Sequence, residues 1–60
     1  MAVFYFVVSD LPSGVFYLAS YDAVWRGRWT PDKDGAIRFG NQSMARRVAR
    51  RVGGEARLED

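Results

Sequence analysis

The sequence predicts a small α+β domain, with one amphipathic helix packed on one face of an antiparallel sheet of four or five strands. Apolar residues recur with a helical period over residues 41–54. Runs of β-branched and aromatic residues precede that segment, and one more alternating run follows it. The predicted order is therefore β-β-β-(β)-α-β, for which a helix lying across one sheet face is the economical packing.

Length and composition limit the domain to one small core. Sixty residues form a single domain, 1–60, near the size at which one hydrophobic core is barely sufficient. The chain has no cysteine and no histidine, which excludes disulfides, thiolate metal sites and the commonest general base. Stability must come from apolar burial, and a content of 48% hydrophobic residues allows it. We expect no cofactor and no metal.

The first two strands are predicted over residues 3–8 and 15–20. Residues 3–8 read V-F-Y-F-V-V, without polar alternation, which is typical of a central strand covered on both faces. Residues 9–14 are dense in turn formers and predict a hairpin loop of about six residues. The N-terminal apolar run is too short to span a membrane and lacks the basic residues of a signal peptide, so we expect a cytoplasmic protein without a membrane partner.

The third strand is predicted over residues 23–30, which read A-V-W-R-G-R-W-T. Their clean alternation places Trp25 and Trp29 on one side of the strand and Arg26 and Arg28 on the other. The strand is therefore expected to have an apolar side and a basic side.

Two shorter segments flank the helix. Residues 36–39 follow a turn and predict a short strand or an extended lead into the helix, with Arg38 opposite Ile37 and Phe39. Residues 55–59 alternate again and predict the last strand. Whether the first of these segments joins the sheet decides between four strands and five.

The helix is the segment with the clearest period. At about 100° per residue, its apolar side chains fall on one arc, which contains Met44, Ala45, Val48, Ala49 and Val52. Four arginines fall on the opposite arc, namely Arg46, Arg47, Arg50 and Arg51. Asn41 or Ser43 can cap the first turn, and Gly53 suits the left-handed position that ends a helix.

The charge of the helix has one sign. Residues 41–54 contain four of the nine basic residues and no acidic residue, whereas the rest of the chain has five basic and seven acidic residues. Arginines four positions apart repel one another by roughly 0.2 to 0.5 kcal/mol per pair. Two interpretations remain open: an arginine-rich solvated face, or a face that contacts an anionic partner.

Period-two alternation also predicts the chemistry of the sheet face that the helix leaves uncovered. The residues expected under the helix are Phe4, Phe6, Phe16, Leu18, Trp25, Trp29, Ile37, Phe39 and Leu58. Those expected on the opposite face are Tyr5, Tyr17, Arg26, Arg28, Arg38 and Arg57. Tyrosines among arginines are the chemistry that binds single-stranded nucleic acid, through stacking and phosphate contacts. The two tyrosines are equally compatible with half-buried strand positions or with a homodimer interface.

No motif in the chain predicts catalysis. The serines have no histidine to activate them, and no glycine pattern can cradle a phosphate. Residues 32–35, D-K-D-G, resemble the opening of a calcium loop. However, the glycine comes at the fourth position instead of the sixth, and the twelfth position is Ser43 instead of glutamate. We therefore expect a non-enzymatic protein.

Several positions match a pattern found in small phage proteins. They are Phe16-Tyr17-Leu18, Trp29-Thr30, Asp34, Ala36, Arg38-Phe39, Ala45 and Gly53-Gly54. The chain from residue 15 onward resembles small orphan proteins of phages and prophages, in which an aromatic strand, a W-T turn and an A-x-R-F segment precede an amphipathic helix. The resemblance implies a mobile-element accessory protein in a bacterial host cell, and some phage proteins of this size inhibit host defence systems, including CRISPR effectors. This chain departs from the pattern in its helix arginines, which replace a glutamate-rich mixture.

Three functions follow as hypotheses. The leading one is a non-enzymatic interaction module, such as an anti-defence inhibitor, that docks the helix arginines on an acidic surface of a host protein or ribonucleoprotein. The second is a direct nucleic-acid-binding protein that uses the same arginines together with the uncovered sheet face. The third is a structural homo-oligomer, formed as a homodimer through that sheet face. The residues expected to contact a protein or nucleic-acid partner are Arg46, Arg47, Arg50, Arg51, Arg26, Arg28, Arg38, Tyr5 and Tyr17.

Overall fold

The computed structural model describes residues 3–59, which form one sheet and one α-helix. The elements, in chain order, are β1 (Tyr5–Leu11), β2 (Gly14–Tyr21), β3 (Gly27–Thr30), a 3₁₀ turn (Lys33–Gly35), α1 (Gln42–Val52) and β4 (Glu55–Leu58). Neighbouring strands are antiparallel and lie in the order β3-β2-β1-β4. The predicted α+β class is confirmed, with four strands in the order β-β-β-α-β. No helix among the described residues is long and apolar enough to cross a membrane.

The hairpin of β1 and β2 is tighter than its turn formers predict. β1 continues past Ser9 and Asp10 to Leu11, which pairs with Gly14, so the loop is only two residues long. Gly14 has a φ of 139°, a conformation that glycine adopts readily and other residues rarely adopt. The predicted six-residue loop is therefore wrong, because these polar residues extend the ladder beyond the edge of the core.

The two faces of β1 are the reverse of the prediction. Val7 pairs with Ala56 of β4, and both side chains lie in or against the core under α1. Tyr5 lies on the same side as Val7 and packs against this core, whereas Phe6 and Val8 point to the other face. The prediction failed because β1 is apolar on both faces, so its own pattern does not select a side. The pairing with β4 selects it.

The helix ends where its capping residues predict. The side-chain oxygen of Asn41 accepts a hydrogen bond from the Met44 backbone N–H at 3.2 Å. Gly53 has a φ of 87°, and its N–H donates to the carbonyl oxygen of Ala49 at 2.9 Å. Of the two candidate capping residues, Asn41 is the one that caps the helix. The buried core between α1 and the sheet consists of Val7, Leu18, Phe39, Ala45, Val48 and Ala49.

Residues 36–39 form no regular strand and instead lie between β1 and β2. The N–H and the carbonyl oxygen of Phe39 bond to the backbone of Tyr5 in β1, at 2.9 and 2.8 Å. The N–H of Ile37 donates to the carbonyl oxygen of Leu18 in β2 at 3.0 Å. The segment therefore separates the two strands beyond the end of their shared ladder. Of the two predicted alternatives, the extended lead into the helix is the one found.

β3 begins later than predicted because residues 22–26 form a tight loop. The Asp22 carboxylate accepts hydrogen bonds from the backbone N–H groups of Val24 at 3.1 Å and Arg26 at 2.9 Å. The Trp25 N–H donates to the Asp22 carbonyl oxygen at 3.0 Å, and Trp25 has a φ of 64°. The strand predicted over residues 23–26 is therefore wrong, because the aspartate accepts hydrogen bonds from N–H groups that a strand would offer to its neighbour. Trp25 nevertheless packs against the core, on the predicted side.

The sheet face opposite α1 is covered by side chains of the same protein. Phe6 and Val8, on this face of β1, are 2% and 0% exposed. Lys33 Nζ and Arg38 Cζ each lie 5.6 Å from the centre of the Phe6 ring. The Tyr17 ring packs edge-on against Phe6, with the ring centroids 5.4 Å apart. The face that was predicted to be open is therefore closed over its apolar centre.

Candidate binding surface

Four arginines occupy the solvent side of α1. Arg46, Arg47, Arg50 and Arg51 are all exposed, and with Ser43 they line one shallow depression on the helix surface. The opposite side of the same helix buries alanine and valine against the sheet. We call these four residues the arginine face. Their grouping on one side of α1 agrees with the helical period predicted from the sequence.

The arginine face has no ion-pair partner in the part of the chain that the structure describes. No carboxylate oxygen of residues 3–59 lies within 4.0 Å of a nitrogen of these four side chains. The first turn of α1 also lacks an acidic residue. Four positive charges therefore meet the solvent on one side of one helix, without an ion pair to any carboxylate of residues 3–59.

The other predicted arginines are, in contrast, mostly paired within the molecule. Arg26 Nε lies 3.0 Å from Asp22 Oδ2. Arg38 Nε lies 3.1 Å from Glu59 Oε1, and a second nitrogen of Arg38 lies 4.0 Å from Asp34 Oδ1. These pairs are surface ion pairs of small energetic value, but they place a carboxylate where a partner's carboxylate or phosphate would have to bind. Neither arginine joins the arginine face.

Arg28 and Arg57 are the two basic residues that lie in the strands, in β3 and β4. Arg57 Nη2 lies 2.8 Å from Asp10 Oδ2, and it also contacts Glu55. Hydrogen bonds to Asp10, which has the larger effect, and to Glu55 raise the pKa of Arg57 above its usual value. Arg28 is exposed on β3, on the side of the strand opposite Trp29, and no ion pair is formed by it within residues 3–59. It therefore lies on the sheet face opposite α1 and is not part of the arginine face.

The predicted tyrosine platform does not form. Tyr5 faces the core under α1, which corrects the prediction that it lies on the uncovered face. Tyr17 does lie on the predicted face, but it is half-buried and contacts Phe6 with its edge. The structure thus brings the helix arginines together and does not add Tyr5, Tyr17, Arg26 or Arg38 to them.

Sequence reasoning missed an aromatic pair beside the arginine face. Tyr21 and Trp25 stack, with ring centroids 5.4 Å apart and ring planes 8° from parallel. Arg51 Cζ lies 5.6 Å from the centre of the Trp25 ring. The residue that could have revealed the pair is Asp22, because aspartate favours turns and Asp22 lies between the two aromatic residues in the sequence. The alternating pattern of residues 23–30 predicted a strand there instead of a turn.

Asp22 holds the loop that carries Trp25. Its carboxylate accepts the Arg26 backbone N–H, and this bond is the largest cause that lowers the pKa of Asp22 below its usual value of 3.8. Bonds from the Arg26 side chain and the Val24 N–H lower it further. The carboxylate is therefore ionised at neutral pH, and the hydrogen bonds that shape the loop are charge-assisted.

Comparisons with known proteins find no match for this chain. No protein-family model, no curated protein and no solved structure matches it. The resemblance to small phage and prophage proteins therefore stays a prediction. The function has to be inferred from the arginine face and its surroundings.

Proposed function

We propose that the protein is a non-enzymatic interaction module that docks its arginine face on an acidic surface of a partner protein. One observation carries this proposal. The four arginines are exposed together and have no carboxylate within 4.0 Å among residues 3–59, while three arginines elsewhere in the chain are paired with carboxylates. The carboxylates of Asp22, Glu59 and Asp10 are thus engaged with arginines outside the helix.

The chemistry of arginine suits this role. A guanidinium group offers a planar fork of N–H donors, which matches the two oxygens of a carboxylate. A helix that is capped at both ends presents such groups in a fixed arrangement, so little conformational freedom is lost from its backbone on binding. A patch of one charge also attracts an oppositely charged partner during diffusional encounter.

The sheet does not provide the tyrosine platform that the predicted binding of a single-stranded nucleic acid requires. Nucleic-acid binding of the predicted kind needs exposed rings on which bases can stack. Tyr5 is turned toward the core and Tyr17 is covered in part by its contact with Phe6. Arg26 and Arg38 are already engaged with carboxylates.

The biological setting that we propose with this function comes from the sequence resemblance. A module of this kind would act as an accessory or inhibitor protein of a phage or other mobile element in the bacterial cytoplasm. Anti-defence activity is one form of that role. The arginine face is the part of the molecule through which such a protein would reach its target.

The test is a binding experiment with two matched variants. A fluorescein-labelled polyglutamate peptide and labelled single-stranded and duplex oligonucleotides are titrated with protein, at about 50 mM and about 150 mM salt, and anisotropy is measured. R46Q/R50Q removes two charges from the arginine face, and R28Q/K33Q removes two charges from outside it. We expect peptide binding that the first variant loses and the second retains.

The other outcomes discriminate clearly. Oligonucleotide binding that persists at about 150 mM salt, exceeds peptide binding and is lost in R46Q/R50Q would replace the proposal with direct nucleic-acid binding. Four phosphate contacts on duplex DNA would then give a log–log salt slope of about −3.6. Equal loss of peptide binding in both variants, or no binding to any probe, would contradict the proposal.

A further inference from the structure

The arginine face continues into an apolar surface formed by the loop of residues 22–26. Arg51 joins the two surfaces, because its guanidinium carbon lies 5.6 Å from the centre of the Trp25 ring. Trp25 stacks on Tyr21, which is 38% exposed, and Val24 in the same loop is 68% exposed. We call Tyr21, Val24 and Trp25 the apolar lip. Val24 is the most exposed large apolar side chain among residues 3–59, and it does not belong to the buried core.

The apolar lip is held in one conformation. Trp25 has a φ of 64°, which a residue other than glycine keeps only when its surroundings enforce it. Four hydrogen bonds that involve Asp22 and the loop backbone do so, together with the packing of Trp25 against the core. A surface fixed in this way loses little conformational freedom when a partner binds.

From this continuity we propose that the apolar lip is the second half of the docking surface. It receives an aromatic or branched aliphatic side chain, carried by the same acidic segment of the partner protein that the arginine face binds. This inference rests on the proposed function, and it specifies the partner: carboxylates interrupted by large apolar residues. Charge complementarity selects the acidic part of such a segment.

The arginine face and the apolar lip are expected to contribute differently to binding, as charged and apolar residues do in other protein interfaces. A few well-packed aromatic or aliphatic anchors supply most of the affinity, while exposed charge pairs mainly steer and orient the partner. The arginine face alone would bind many polyanions with little discrimination. The apolar lip would distinguish an acidic segment that carries anchors from one that does not.

Two peptides with equal numbers of glutamates test this inference. One carries phenylalanine at every third position, and the other carries serine there; anisotropy gives the affinity of each. We expect the full-length protein to bind the phenylalanine peptide about tenfold more tightly, a difference of about 1.4 kcal/mol. Val24→Ser, and Y21S/V24S, should bring this ratio close to one while the affinity for the serine peptide stays unchanged.

The control variant L11S/V15S removes comparably exposed apolar side chains from the hairpin at the other end of β2, and it should keep the tenfold ratio. R46Q/R50Q should weaken the binding of both peptides.

If the wild-type protein binds both peptides equally and R46Q/R50Q weakens both, the proposed function stands and the inference about the apolar lip is wrong. If neither peptide binds, both fail. Val24→Ser removes no atom of the Tyr21–Trp25 stack, and an unchanged tryptophan emission spectrum in this variant would show that loss of the ratio does not come from a misfolded loop.

Discussion

A methyl group added at Gly54 would have no room. Its Cβ would lie 2.6 Å from the backbone oxygen of Val8 and 3.0 Å from the Trp29 ring. A backbone oxygen in the middle of a close-packed sheet cannot move aside as the end of a flexible side chain can. We therefore expect Gly54→Ala to lower the free energy of unfolding by about 1 to 3 kcal/mol. The shift of the urea midpoint measures it.

Gly40→Ala is the matched control for that substitution. A Cβ at Gly40 would meet no atom within 4 Å, so we expect the urea midpoint to stay unchanged or to rise slightly. A domain of sixty residues has a total stability of about 3 to 9 kcal/mol, against which the expected loss at Gly54 is large. Equal destabilisation of the two variants would show that crowding at Gly54 is not the cause.

Single residues were predictable where their role depends on close neighbours in the chain. Asn41 and Gly53 cap α1 as predicted, since each acts on backbone groups within a few positions. Tyr5 lies on the face opposite to the predicted one, whereas Trp25 packs against the core as predicted but lies outside a strand. The side of Tyr5 depends on strand pairing with a distant part of the chain. The left-handed backbone of Trp25 depends on hydrogen bonds to the nearby Asp22, and it was missed because the alternating pattern of residues 23–30 indicated a strand.

The helix carries its charges at a cost to its own stability. Arg46 and Arg50 lie one turn apart on the same side of α1 and repel one another. Arg46→Glu replaces this repulsion with an attraction, in the middle of the helix where the macrodipole has little effect. We expect the free energy of unfolding to rise by roughly 0.4 to 1 kcal/mol at low salt. Urea unfolding at low and high salt measures it, and the gain should shrink as salt rises.

The same variant connects the helix to function. If the arginine face exists for a partner, Arg46→Glu should stabilise the protein while weakening its binding to the acidic peptide. A variant that is less stable than the wild type would instead show that the arginine face serves the fold. The two measurements on one variant therefore separate a binding role from a structural one.

Elements were predictable in kind and less so in their limits. The helix and all four strands are present near their predicted positions, because hydrophobic period and β-propensity are local properties. The placement of residues 36–39 between two strands depends on hydrogen bonds to distant parts of the chain. The late start of β3 depends on local hydrogen bonds to Asp22, which the alternating pattern of residues 23–30 concealed. The candidate site shows a similar contrast. The arginine face follows from the period of one helix, whereas the apolar lip is formed by the end of β2 and the loop that follows it.

The whole molecule is expected to be a monomer. The apolar side chains on the second sheet face, Phe6 and Val8, are already covered, so pairing of two copies through that face would bury little further apolar area. The edge strands β3 and β4 are only four residues long, which limits edge-to-edge pairing. Sedimentation equilibrium should give a mass of 6.8 kDa across the accessible concentration range. A mass near twice that value would support the homodimer hypothesis.

Trp25 makes the molecule its own optical sensor. Its indole ring contacts Arg51 at the border of the arginine face, whereas the only other tryptophan, Trp29, packs beside the core. Indole emission changes when a charge or a water molecule near the ring is displaced. With Trp29 replaced by phenylalanine, the emission would come from Trp25 alone. Binding of a partner to the arginine face could then be followed in unlabelled protein, from the wavelength of the Trp25 emission maximum.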